Sequence, residues 1–320
     1  VKEFELIKRF FENKGPKRKD VLLGVGDDCA IVHSPAERDL VVSCDTLVEG
    51  VHFLADMPPE ALAHKAVAAN LSDLAAMGAE PAWMTLALTM PRVDEDWLEG
   101  FSQGIASICE YYRVQLIGGD TCRGEQLSMS ITVHGHLPRG KGLRRSGAKA
   151  GDNVYVTGYL GDSALGLMHI LGESSLNEKA AELALQRHYY PTPRVFAGQV
   201  LRDIANACMD LSDGLSSDLG HMLERSGVGA VIEVDQLPLS ENLVESVGRE
   251  HAIEMALAGG EDYELLFTVP QSQTGVLDLA LKEAGVKFSR IGQIKSSPEL
   301  NYRLDGKAWR SQAKGYQHFE

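Results

Sequence analysis

Residues 84–137, MTLALTMPRVDEDWLEGFSQGIASICEYYRVQLIGGDTCRGEQLSMSITVHGHL, decide the fold. MTLALTM (84–90) is a short apolar run closed by proline, the pattern of a strand. DEDWLEGFSQGIASICEYY (94–112) repeats apolar residues at helical spacing behind an acidic opening, so a helix is predicted there. VQLIGG (114–119) is a second strand, and LSMSITVHGHL (127–137) alternates apolar and polar residues as a third. Together they give a sheet with helices laid on it.

Working outward, LVVSCDT (40–46) reads as a buried strand whose tip delivers Asp45 and Thr46 to a rim. Pro58–Met77 reads as one long Ala-rich helix, with Asp56 as candidate cap and Gly78 as the stop. Residues 1–13 form a helix with Phe4, Ile7, Phe10 and Phe11 on one face. The Gly-rich, basic stretch PRGKGLRRSGAKAGD (138–152) looks like a connection, and a second unit opens with the strand NVYVTG. Helices are predicted at 162–171, 178–188, 194–206 and 214–225, with strands near 230–234 and 264–269. The fold class is therefore α/β (α+β), with an N-terminal domain over 1–137 and a C-terminal α/β domain over 138–320. Two short echoes, LSDLAAMG (71–78) with LSDGLSSDLG (211–220) and GGDT (118–121) with GGED (259–262), hint at duplication.

The 320 residues carry 44% hydrophobic and 24% charged side chains, enough to bury a real core in each domain. A formal charge of −14 argues against a nucleic-acid partner, which needs a basic face, and suits polyphosphate carried in with divalent metal. No apolar run is long enough for a membrane span, and VKEFELIKRFFENKG lacks the apolar core of a signal peptide, so a cytoplasmic location is expected. The five cysteines are scattered and never form C-x-x-C, so neither a zinc ribbon nor a disulfide scaffold is expected.

The common nucleotide cradles are absent. There is no G-x-x-x-x-G-K-[ST] and no H-R-D or D-F-G, and GVGDDC places Cys29 where G-x-G-x-x-G needs its third glycine. What stands out instead is aspartate beside glycine or at strand ends: Asp27 and Asp28, Asp45, Asp73, Asp120, and Asp210 with Asp213. Glycine lets the backbone turn sharply, and the neighbouring carboxylate can then face a hard cation such as magnesium. A lone Asp after Gly is more often a turn residue. Asp73 differs, because an unpaired carboxylate inside an Ala-rich helix is costly to bury, so it caps something or holds a cation. His52 is either an ordinary histidine or a ligand contact, and Arg145 either a solvated charge or a bidentate phosphate clamp. Ser212 and Gly214, before a predicted helix, offer backbone N–H groups to an anion.

Taken in order and spacing, GVGDDCA, DTLVEGVHF, NLSDLAAMGAEPAW, LIGGDTCRG, RSGAKAGD, LSDGLSSDLG, GGEDYELLFTV and the C-terminal KGYQHF resemble the bacterial thiamine-monophosphate kinases. The resemblance implies the two-domain PurM-like fold shared with aminoimidazole ribonucleotide synthetase and selenophosphate synthetase, with ATP in a cleft and a homodimer built through the N-terminal sheets. It implies transfer of the ATP γ-phosphoryl group to thiamine monophosphate, with several Mg2+ ions. Carried over by motif, Asp28, Ser43, Cys44, Asp45, Asp73, Asp120, Asp210 and Asp213 would bind metal. Gly119, Asp120, Arg145 and Ser212 would touch ATP, and His52, Glu261 and Tyr316 would line the thiamine monophosphate site. Cys44 stands where relatives often carry Thr. Its backbone carbonyl would serve a metal unchanged, whereas a side-chain hydroxyl ligand would be lost.

The chemistry suits this reading. A phosphate monoester with a second pKa of about 6 is already a dianion at neutral pH and needs no general base. Another ATP-using synthetase of the same fold would share the aspartates, and a non-catalytic magnesium–nucleotide sensor would bind ATP without turnover.

Overall fold

The computed structural model describes residues 3–311. They divide into two compact units, one of the residues up to Leu74 with Ala79–Gly140, the other of Ala75–Gly78 with the residues from Lys141 onward.

The first unit runs α1 (Glu3–Phe10), β1 (Val21–Leu23), β2 (Ile31–Val32), β3 (Arg38–Val48), α2 (Pro59–Ala76), β4 (Glu80–Met90), α3 (Glu95–Tyr112), β5 (Gln115–Arg123) and β6 (Ser128–Pro138). Its four-stranded sheet has the order β3-β6-β4-β5, antiparallel except for the β4–β5 pair. Parallel neighbours need a crossover, and α3 supplies it. Asp94 caps α3 by accepting the Trp97 N–H at 3.1 Å, and Arg113, at φ 56°, ends it.

The helix α2 is buried on nearly every side, including Lys65, Asn70 and Ser72, which is why its sequence shows no polar face. α3 buries Leu98, Phe101, Ile105 and Ile108. Between them it places Gly104 so close to α2 that an added Cβ would lie 2.6 Å from the Glu60 carbonyl oxygen and 2.7 Å from the Ala63 Cβ. The small residue sets the distance between the helices.

Two N-terminal expectations change. The buried face of α1 is Leu6 and Phe10, continued by Phe11, while Phe4 is 81% exposed. Leu6 and Phe10 are four residues apart and share a face that Phe4 does not. The strand at 40–46 is an edge strand rather than a buried one: among the described residues β3 pairs only with β6, and Leu40 and Val42, on the sheet face that the helices leave uncovered, are 48% and 53% exposed.

The second unit contains β7 (Asn153–Thr157), α4 (Asp162–Ile170), α5 (Glu178–Tyr189), α6 (Val195–Leu201), β8 (Ala207–Asp210), α7 (Leu215–Ser226) and β9 (Gly229–Glu233). It continues with α8 (Glu241–Val247), α9 (Arg249–Ala258), β10 (Leu265–Val269), α10 (Thr274–Glu283), β11 (Phe288–Lys295), β12 (Leu300–Leu304) and β13 (Lys307–Trp309). The sheet order is β13-β12-β9-β11-β7-β10-β8, with only β12–β9 parallel. β7 and β10 are interior strands buried along their whole length, and α7 and α9 pack Leu215, Leu219, Met222, Ile253 and Leu257 into the same core.

The connecting stretch 138–152 is not a free linker. The Cys208 N–H donates to the Arg144 carbonyl oxygen at 2.9 Å, so the chain there lies along β8. The sequence echo also dissolves: Asp73 lies inside α2, whereas Asp213 lies in the loop before α7.

The contact at Gly104 gives a test of sign. Gly→Ala inside a helix normally stabilises by about 1 kcal/mol. Here the added methyl meets backbone, and Gly104→Ala is expected to destabilise by about 1–3 kcal/mol in urea melts, as overpacking does. A gain in stability would mean that this helix pair has room to spare.

Candidate active site

In the first unit the site is built where β3 meets α2. Alternate residues of a strand share a face, so Ser43 and Asp45 point the same way. The Ser43 hydroxyl donates to Asp73 Oδ2 at 2.5 Å. The Asp45 N–H, on the open edge of β3, donates to Asn70 Oδ1 at 3.1 Å, and the Asn70 amide is fixed in turn by the Ala66 carbonyl at 3.0 Å. Asn70 and Asp73 stand three residues apart on α2, hence on one face. Burial first, then the charge of Asp73, raises the Asp45 carboxyl to about 6.

The LIGGDT motif enters β5 through an irregularity: Met84 pairs with Leu116 and Thr85 with Gly118, leaving Ile117 as a bulge. Gly119 follows at φ +155°, and a Cβ there would lie 1.8 Å from the Leu86 carbonyl oxygen, so only glycine fits. The register puts Asp45, Ile131, Leu86 and Gly119 in one row and Thr46, Ser130, Ala87 and Asp120 in the next. Asp120 therefore lies on the opposite sheet face from Asp45. Cys44 is exposed on that opposite face as well, so its thiol does not join Ser43, Asp45 and Asp73.

Asp28 lies in an exposed turn, where its N–H donates to Asp27 Oδ1 at 2.8 Å, which makes Asp27 a turn residue. His52 closes the turn after β3. Its Nδ1 accepts the Val48 N–H at 3.1 Å, so the neutral ring carries its proton on Nε2.

In the second unit Asp210 ends β8, buried, and the loop 211–214 leads into α7. The N–H groups of Ser212 and Asp213 both donate to Asp218 Oδ2, each at 3.1 Å. Asp218, which the sequence reading missed, thus consumes the Ser212 N–H that was expected to meet an anion. Its own carboxyl is raised to about 7, chiefly by burial; the Asp213 N–H holds it down and the Asp213 charge pushes it up. The charge of Arg145, which is exposed, also lowers it slightly.

Facing this loop is GGEDYE, 259–264. The Glu261 N–H donates to the Ser212 carbonyl at 2.8 Å and the Tyr263 N–H to the Leu211 carbonyl at 2.9 Å. Glu261 Oε2 lies 3.7 Å from His188 Nδ1, itself 3.0 Å from the Ser163 hydroxyl. Asp262 accepts the Gly161 N–H at 2.8 Å and the Ser163 N–H at 3.4 Å, supplying the cap that α4 lacks of its own. Burial above all pushes its carboxyl well above the ordinary range.

Among the described residues no three His, Cys, Asp or Glu side chains stand together as a ready metal cage. The structure brings together Ser43, Asp45 and Asp73, and separately Ser212, Asp213 and Asp218. It does not bring Asp28, Cys44 or Asp120 to the first group, and Tyr316 lies outside the described residues. Asp218, Asp262, Glu264, Arg194 and His188 were missed, because only the fold reveals that they support the motif residues.

Residues 26–137 match the family described as AIR synthase related protein, N-terminal domain, and residues 149–305 match its C-terminal domain. The thiamine-monophosphate kinase of Salmonella typhimurium is 53% identical over 319 residues, covering 99% of this chain and 98% of that protein. The crystal structure of thiamine-monophosphate kinase from Stenotrophomonas maltophilia K279a superposes with a TM-score of 0.85 at 43% identity, covering 92% of this chain and 93% of that one. A second solved structure, described as "AaThiL complexed with AMPPCP and TMP", superposes with a TM-score of 0.79 at 36% identity, covering 99% and 96%. With likeness at this level running through both domains, the chain belongs to the thiamine-monophosphate kinases.

Proposed function

We propose that the chain phosphorylates thiamine monophosphate by direct in-line transfer of the ATP γ-phosphoryl group, assisted by several magnesium ions. The observation that carries this reading is the juxtaposition of Ser43, Asp45 and Asp73, two carboxylates and a hydroxyl gathered by strand and helix. An all-oxygen donor set selects a hard cation, and magnesium is usually held by one or two carboxylates plus substrate phosphates and water. An incomplete protein cage fits that habit.

In the first unit Ser43, Asp45 and Asp73 would hold one ion, while Asp28 and Asp120, which stand outside that group, would serve other ions; in the second unit Asp210 and Asp213 would bind metal. Cys44 would contribute only its backbone carbonyl. Once bound, the ions would screen the repulsion between the two phosphates and stabilise charge on the transferring group. Gly119 leaves the backbone open to close approach by ATP, while Asp120 and the Ser212 side chain would orient it. Arg145, which is exposed, can offer its fork to a phosphate. His52 can donate from Nε2, and Glu261 presents a carboxylate to the cationic thiamine portion of the acceptor; Tyr316 would complete that site. The acceptor phosphate oxygen forms the new bond to the γ-phosphorus as the bond to ADP breaks. No protein nucleophile is needed.

The proposal places the enzyme in the cytoplasm, where ATP is available, as a homodimer. No described helix is long and apolar enough to cross a membrane. The eleven-residue edge strand β3, with Leu40 and Val42 exposed, supports a second copy of the chain as the cover of this sheet. Val42→Lys is expected to convert a dimer into a monomer in equilibrium sedimentation. A monomeric wild type, or a variant that stays dimeric, contradicts that assembly.

The metal reading is tested at Asp73. Ligands gathered for a cation repel one another without it, whereas a structural carboxylate stabilises the fold in every buffer. Asp73→Asn should leave the protein in chelator as stable as wild type or slightly more so. It should abolish most turnover and most of the stabilisation by magnesium with a non-hydrolysable ATP analogue, about 2.7 kcal/mol at a hundredfold excess over Kd. Equal destabilisation in both buffers, with the ligand-induced shift intact, would make Asp73 a structural partner of Ser43.

A further inference from the structure

We infer that Arg194 is a positioning residue for the acceptor site, acting through Glu264 on the loop that presents Glu261. The inference rests on the reading of Glu261 as an acceptor-binding residue.

The loop is under backbone tension. Glu261 and Tyr263 sit at φ 65° and 51°, in the left-handed region that side-chain-bearing residues rarely adopt. Two such residues in three positions persist only where surrounding contacts over-determine them. Those contacts can be traced.

On one side Gly260 approaches the Ser212 carbonyl so closely that a Cβ would lie 2.6 Å from its oxygen, and the Glu261 and Tyr263 N–H groups bond to carbonyls of the facing loop. In the middle Asp262 is tied to the N-terminus of α4. At the far end Glu264 is held on both oxygens: Oε2 accepts from Arg194 Nε at 2.6 Å and from the Thr157 hydroxyl at 2.6 Å, and Oε1 accepts from Arg194 Nη2 at 2.5 Å. The side chain of Glu264 is 6% exposed and that of Arg194 20%. Gly158 makes room for the carboxylate, since a Cβ there would fall 1.9 Å from Glu264 Oε1.

The geometry singles out Arg194. Burial first raises the carboxyls of Asp162 and Asp262, and the nearby charge of Glu264 pushes both further up. The guanidinium answers Glu264 with two directed bonds, fixing its orientation as well as its charge. Because Leu211 donates its N–H to the Glu264 carbonyl at 2.8 Å, the anchor also reaches the neighbouring loop 211–214. Two residues before Glu264 the chain has a second anchor, and Glu261 lies beyond it. A loosened Glu264 releases Tyr263 from its left-handed conformation, and the presentation of Glu261 changes with it.

Arg194→Lys separates positioning from charge, because it keeps the cation and loses the fork. The expected result is a rise of about tenfold in the KM for thiamine monophosphate, with the KM for ATP changed less than about twofold. In a Glu261→Ala background the same change should add less than about twofold, since the residue through which it acts is already gone. If Arg194→Lys fails to fold, Thr157→Val, which removes one donor to Glu264 without removing the ion pair, is read in the same way. Equal rises in both KM values, no change in either, or effects that multiply with Glu261→Ala would overturn the inference. A Glu261→Ala enzyme with an unaltered acceptor KM would overturn the acceptor reading of Glu261 itself, and this inference with it.

Discussion

The rest of the structure depends on how the fold holds carboxylates close together without letting their charge break it apart. Buried carboxylates are normally paired, because an uncompensated buried charge costs several kcal/mol. This chain meets the cost in three ways. Asp218 and Asp262 take backbone N–H groups at loop and helix ends. Glu264 takes a guanidinium fork. Asp73 receives the Ser43 hydroxyl, and Asp45, its neighbour, is raised by burial and by the charge beside it. The first two solutions draw on partners within the protein alone. The third gathers oxygen donors whose mutual repulsion a bound cation would relieve, and that difference separates scaffold from site.

Much of this was legible before the fold was known. The strands and helices of residues 84–137 follow from apolar spacing alone, because each buries one well-defined face or crosses a sheet. Asp45 and Asp73 stood out because their types conflict with their surroundings. The support was not legible. Asp218 reads as an ordinary helical acid, and Arg194 and Glu264, 70 residues apart, meet only because α6 and β10 are brought together. Pairing across such a distance leaves no local pattern. Phe4 misled for a related reason: helical spacing names a face, while the neighbouring elements decide which face is buried. The edge position of β3 was hidden too, since apolar alternation does not reveal how many partners a strand will have.

The second unit shows why single motifs under-determine function. LSDG and GGEDYE are weak signals alone, yet their backbones bond to one another through Ser212 with Glu261 and Leu211 with Tyr263. Gly260 is explained by that approach, the left-handed residues by the anchors around them, and the acids by the need for N–H and guanidinium partners. Local rules are broken here together, in one place, as functional loops tend to break them.

On the proposed mechanism these residues position and screen two phosphates and never become covalently attached to the group transferred. Its most direct test is the stereochemical course at phosphorus, with ATP made chiral at a γ-thiophosphate and thiamine monophosphate as acceptor. A single in-line displacement predicts inversion of configuration in the thiamine diphosphate analogue. Retention, the mark of two displacements through a phosphoenzyme, would contradict the account.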